Sequence, residues 1–194
     1  MSDVGELKMY DKLAEAILLG LSIAYETKPR GYPKEKVVEE IAKAIGDDKV
    51  STNEAVRYIY SKNIMHWKRA LPPDIVVQPE CTEDVQAVVK ICNKYKVPIT
   101  VQGGGVGFNV TIPALGGVMM DMARMNRILE INTDADFAVI EAGVTYAEFC
   151  TELKKHGYSF PHGTFPPTTC VVSNLLGICL LYTSDAADDG ESVD

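Results

Sequence analysis

Residues 97–109 read VPITVQGGGVGFN, and the interpretation of this stretch decides the fold. Val97 to Val101 has the apolar, β-branched character of a strand. It runs through Gln102 into Gly103, Gly104 and Gly105, with Gly107 one residue further on. Without Cβ atoms such a backbone can adopt positive φ and approach a ligand closely. Its successive N–H groups can then converge on an anion. A tight turn or a barrel corner would use the same residues, so both readings stand at this point. Two familiar phosphate loops are excluded. Counting from Gly103, the sixth position of a dinucleotide fingerprint is Phe108, and counting from Gly105 it is Val110. The terminal Gly-Lys-Ser/Thr of a Walker loop is absent. Pro113 follows in Thr111–Gly117, so the glycines do not open a helix.

Outward from the loop, strands and helices mix. Upstream, Asp74 to Val77 reads as a strand. Thr82 is placed to cap a helix with Glu83 and Asp84 in its first turn. Val85, Val88, Val89 and Cys92 form the apolar stripe of that helix, which makes Cys92 a core residue. Downstream, 117–121, 128–131 and 137–142 read as strands. Thr145 and Glu148 then have capping-box spacing, and Lys154, Lys155 and His156 suit a last turn before Gly157. The order β-α-β-loop-β-β-β-α breaks regular alternation and predicts an α+β domain. Residues 1–65 read as a helical N-terminal segment. Its stripes are Leu13 to Tyr25 and, from Pro33, Val37, Val38, Ile41 and Ile45. Ser51 and Glu54 are spaced for a capping box before a third helix.

The whole chain has 194 residues, 46% hydrophobic and 24% charged, which is globular composition. No apolar run is long enough for a transmembrane segment, and the N-terminus lacks a signal peptide's basic start. Five cysteines without CxxC spacing favour reduced thiols and a cytoplasmic setting. The net charge of −8 argues against a nucleic-acid partner. Five of the acids lie in 179–194; the rest of the chain carries 22 acids against 19 bases, with no basic stripe. Cys179 to Asp188 is also the translation of TGT CTC TTA TAC ACA TCT GAC GCT GCC GAC, which resembles a transposase sequencing adapter. Residues 179–194 are therefore expected to be an adapter-derived tail without packed structure. The native sequence would then stop near Gly177 or Ile178, as the N-terminal part of a longer protein.

Two long segments now carry a resemblance. They are PPDIVVQPECTEDVQAVVKICNKYKVPITVQGGGVGFNVTIPALGGVMMDMARMNRILEIN and AVIEAGVTYAEFCTELKKHGYSFPHGTFPP. Together they resemble the FAD-binding domain of the vanillyl-alcohol oxidase/p-cresol methylhydroxylase (PCMH-type) flavoproteins, with the motifs in family order. The resemblance implies a truncated PCMH-type domain over 71–178. It implies FAD as cofactor, with the pyrophosphate held by Gly103, Gly104, Gly105, Val106, Gly107, Phe108 and Asn109. A second contact would come from Thr168, Thr169, Ser173 and Asn174. Ser173 stands where members often have Gly, and Gln102 where many have Arg. Asp121 to Ile128 and Glu141 to Thr145 are family landmarks.

The function so implied is hydride transfer to flavin from a CH–OH substrate such as a D-2-hydroxy acid. An aryl-alcohol or alkylphenol substrate, or a non-catalytic electron-transfer subunit, is the alternative. Partners would be a small-molecule substrate and a homo-oligomer or electron acceptor. Catalytic residues are not assigned, and a chain of this length is expected to hold FAD incompletely and to turn nothing over. His162, in Phe160 to Thr164, reads either as a flavin neighbour or, at shorter odds, as a surface-loop histidine. No His lies between Gln102 and Asn109 to tether a flavin. Arg124 and Arg127 suit phosphate, or ion pairs with Glu130 or Asp121. Cys150 and Cys170 have no neighbouring base in sequence that would activate a nucleophile. The scattered His66, His156 and His162 predict no metal site.

Overall fold

A computed structural model describes residues 31–61, 72–106, 116–160 and 166–178. The expected helix over 8–25 and the segment 179–194 lie outside these.

The first helix of the described residues, α1 (Lys34–Ile45), buries Val37, Ile41 and Ile45 at four-residue spacing and ends at Gly46, whose φ is +104°. Strand β1 (Val50–Ser51) follows, so the N-terminal segment, expected to be helical, also adds a strand. Helix α2 (Glu54–Ile59) starts differently from the expected capping box. Asn53 is its cap and accepts from the Ala55 and Val56 amides, while Ser51 Oγ accepts from the Asn53 amide. An Asx side chain immediately before the helix outcompetes a hydroxyl two residues further back.

Strand β2 (Ile75–Val77) leads into α3 (Thr82–Tyr95), then β3 (Ile99–Gln102) and β4 (Val118–Asp121). The sheet order is β1-β2-β4-β3. The last three strands are parallel and β1 pairs antiparallel with β2. β2 and β4 are buried along their whole length, which explains their continuous apolar runs. One core joins Val37, Ile41 and Ile45 of α1 to Ile75, Val77, Val88, Cys92, Val118 and Met120. Two expectations for α3 are corrected. Thr82 is the first helical residue rather than the cap, and Cys81 in the cap position makes no side-chain bond to the helix's free amides. Val89 is exposed, because the buried stripe runs through Asp84, Val88 and Cys92. Burial pushes the Cys92 thiol up to about 11, as befits a core residue.

A second core lies beyond β4. Strands β5 (Ile128–Asn132) and β6 (Phe137–Ile140) form an antiparallel pair. They pack on α4 (Tyr146–Lys155) and the start of α5 (Val171–Ile178) through Val144, Tyr146, Phe149, Leu153 and Val171. The capping box of Thr145 and Glu148 is present as expected. Gly143 shows why the turn into α4 has no side chain. A Cβ there would collide with the carbonyl oxygens of Met122, Met125 and Ala123. Among the described residues no helix is long and apolar enough to cross a membrane.

Candidate functional site

The three parallel strands end side by side, and chain leaves the sheet there at Gln78, Gln102 and Asp121. Ligands of open parallel sheets collect at carboxyl ends of this kind. Gln102 pairs in register with Asp121. The Asp121 carboxylate is buried and held by three hydrogen bonds. It accepts from Tyr60 Oη at 2.6 Å, Gln78 Nε2 at 3.0 Å and the Ala123 amide at 3.0 Å. Burial, then the adjacent carboxylate, pushes the Tyr60 hydroxyl well above the usual tyrosine range, so it stays a proton donor.

From Gln102 the chain enters the glycines. Gly103 and Gly104 are bare because another segment lies against them. A Cβ on Gly103 would come within 2.8 Å of Ser173 Oγ and 3.1 Å of Cys170 Cβ. One on Gly104 would come within 2.8 Å of the Thr168 carbonyl oxygen. Gly105 is bare for its conformation, at φ +68°, over the Gln102 amide. The outer side of this junction is open: Gly104, Gly105, Thr168 and Ser173 are all exposed.

The facing segment is the start of α5. The Val171 amide donates to Val144 O at 2.9 Å and the Asn174 amide to Cys170 O at 3.1 Å. The Val172 and Ser173 amides between them have no main-chain partner among the described residues, as expected of a first helical turn. The Cys170 thiol donates to Gly143 O at 3.3 Å, and burial raises its pKa against the opposing effect of the Gly104 amide. It is therefore a packed thiol and not a nucleophile. Asn174 is 3% exposed; its Nδ2 donates to Tyr146 Oη at 3.1 Å, and its Oδ1 has no partner among the described residues. Free first-turn amides beside a side-chain-free loop form a donor set suited to an anionic group such as a pyrophosphate.

Of the expected site residues, Gly103, Gly104, Thr168 and Ser173 thus lie at one junction, with Gly105 and Val106 continuing the loop. Asn174 stands one residue beyond Ser173. Thr169 is turned inward, its hydroxyl bonded to Pro166 O at 2.8 Å. Gly107, Phe108, Asn109, His66 and His162 lie outside the described residues. Arg124 and Arg127 form ion pairs, with partners other than those expected. Arg124 pairs with Glu80 at 3.0 Å. Arg127 pairs with buried Glu141 at 2.6 Å, and Glu141 also accepts from the Arg127 amide at 2.8 Å. The two landmark motifs therefore bind each other. Tyr60, Gln78 and Tyr146 gave no sequence signal, because only the fold brings them to the strand ends or to Asn174.

A family model described as FAD binding domain matches residues 73–184, a range extending past Ile178 into the adapter-like segment. A probable mitochondrial D-lactate dehydrogenase of Danio rerio is 34% identical over 129 residues, covering 66% of this chain and 26% of that protein. The flavoprotein subunit of a hydroxylating 4-cresol dehydrogenase of Pseudomonas putida is 34% identical over 125 residues, covering 62% of this chain and 24% of its own length. The crystal structure of p-cresol methylhydroxylase with substrate bound superposes with a TM-score of 0.67 at 28% identity. It covers 77% of this chain and 31% of that one. That share exceeds what residues 71–194 supply, so the alignment takes in part of the N-terminal segment. The chain spans about a quarter of the length of these curated relatives.

Proposed function

The chain belongs to the family of PCMH-type FAD-binding domains, its cofactor is FAD, and from this premise we propose that it serves a flavin-linked dehydrogenase or oxidase of D-2-hydroxy acids. The observation that carries the site is the junction of Gly103–Gly105 with Thr168–Asn174, where side-chain-free backbone presses on the first turn of α5 beside an open face. In this reading the amides of Gly105, Val172 and Ser173 hold the pyrophosphate, together with the rest of the loop through Asn109, while the Gly104 amide faces the Cys170 thiol. Bound flavin supplies the capacity to accept a hydride from a carbon bearing a hydroxyl. The chain's own residues bind and orient the cofactor. Asp121 holds Tyr60 and Gln78 at the ends of β2 and β4, which fixes the floor on which the loop rests.

The D-lactate dehydrogenase relative supports the hydroxy-acid substrate. An equally identical alkylphenol-dehydrogenase subunit supports a second reading, a phenolic substrate with electrons passed to a partner subunit. Anaerobic addition of D-lactate, glycolate or 4-methylphenol to the FAD-loaded whole protein, rather than to this chain alone, separates them. Bleaching of the flavin by the hydroxy acids is the expected result. Bleaching by the phenol alone establishes the second reading, and FAD binding without bleaching by any of them leaves an electron-transfer or binding role.

A further inference from the structure

Asn174 and Tyr146 form a polar pair inside an otherwise apolar core, and their hydrogen bonding is incomplete. Asn174 Oδ1 is buried without a donor among the described residues. Tyr146 is 3% exposed, and its hydroxyl accepts from Asn174 Nδ2, with no acceptor for its own proton among the described residues. Two unmet groups side by side in a desolvated place are costly. The two ends of a carboxamide are isosteric, so the same space holds the opposite orientation. Reversed, Asn174 Oδ1 accepts the Tyr146 proton, which satisfies both groups at once. The NH2 then occupies the side where Oδ1 stood and carries two donors in search of an acceptor.

The helix puts Asn174 on the side of α5 that carries the loop contact. The Asn174 amide bonds to Cys170 O, so residues 170 and 174 stand one turn apart on one face. Cys170 is the residue that abuts Gly103 and Gly104. Tyr146 is held firmly enough to act as an anchor. Its amide donates to Thr169 O at 3.0 Å and its ring lies 5.9 Å from Phe160.

We propose that Tyr146 is a positioning residue that fixes the Asn174 carboxamide with its NH2 toward the cofactor, where it donates to an acceptor oxygen of FAD beside the glycine loop. This rests on the placement of FAD at the Gly103–Asn174 junction. Tyr146 itself does not touch the cofactor.

The test is a titration of the 15N-labelled chain with FAD into the millimolar range, following the Gly103 and Gly104 amides and the Asn174 side-chain NH2 pair. Both sets should shift together. Tyr146→Phe keeps the ring and removes the hydroxyl. It should retain the dispersed amide spectrum yet bind FAD about tenfold more weakly, the value of roughly one buried hydrogen bond, with the Asn174 NH2 shift on FAD addition lost. Asn174→Asp, nearly isosteric but without donors, should lose binding more completely. Failure of Gly103 and Gly104 to respond overturns the site itself. A response there with an unmoved Asn174 NH2, or with unchanged affinity in folded Tyr146→Phe, leaves the site and overturns the positioning role. If Tyr146→Phe unfolds, the NH2 response of the unaltered chain and the affinity of Asn174→Asp decide alone.

Discussion

At Gly105 the backbone has φ +68°, and the atoms nearest to an added side chain belong to Gln102, whose amide end can swing away. A side chain there costs on the order of 1 kcal/mol in backbone strain, and less for Asn or Asp, which tolerate this region. Gly105→Asn and Gly105→Asp therefore share shape and strain and differ in charge. Both should fold, as read by far-ultraviolet circular dichroism. The carboxylate would face the pyrophosphate, so the Asp variant should bind FAD at least about tenfold more weakly than the Asn variant in a fluorescence titration. Equal affinities would show that no phosphate lies near this loop. Gly103 and Gly104 do not offer so clean a comparison, because a methyl at either would push against Cys170, Ser173 or the Thr168 carbonyl.

Among the elements, the turn between β6 and α4 bears on both cores. Thr145 Oγ1 accepts from the Glu148 amide, and the Thr145 backbone bridges to Cys170, so the cap also seats the approach to α5. Thr145→Ala should cost about 1 kcal/mol in denaturant unfolding. Thr82→Ala should be near neutral, because Thr82 makes no cap bond. A comparable loss in both would mean that the cap geometry is not what separates them. Gly143→Ala should be worse, about 1–3 kcal/mol, because three carbonyl oxygens must move. The strands and the α4 capping box were legible in sequence because β-branched runs and a Thr–Glu spacing act locally. The true cap of α2 was missed because Asn53 and Ser51 both satisfy the local rules and only one backbone path can win. Likewise Arg127 has several acidic neighbours in sequence, but only the closing of β5 on β6 brings Glu141 to it. The glycine loop was legible as a candidate site. The reason for its first two glycines was not, since it lies about 65 residues away in Thr168–Ser173.

On the scale of the whole molecule, carboxylates tie distant segments together. Asp74 accepts from Tyr32 Oη at 2.6 Å, the Gly117 amide at 3.0 Å and Lys34 Nζ at 3.4 Å, joining α1 to the leading ends of β2 and β4. Burial alone would raise its pKa, but the Tyr32 hydroxyl, the Gly117 amide and Lys34 outweigh it, and the pKa lies below the ordinary value. Asp84, bonded to Lys49 at 2.8 Å, and Glu141, beside Arg127, are lowered in the same way. A carboxyl whose folded pKa is depressed contributes stability that is complete above its unfolded value of about 4. That contribution is lost as pH falls through the folded pKa. Denaturant midpoints should therefore stay level from neutral pH down to about 5 and fall steeply below about 4. Asp74→Asn keeps the size of the side chain and removes its titration. It should be less stable than the parent at pH 7, where the charge is present, and the two curves should converge toward pH 3. Parallel acid limbs for parent and variant would show that Asp74 is not one of the groups whose protonation loosens α1 from the sheet.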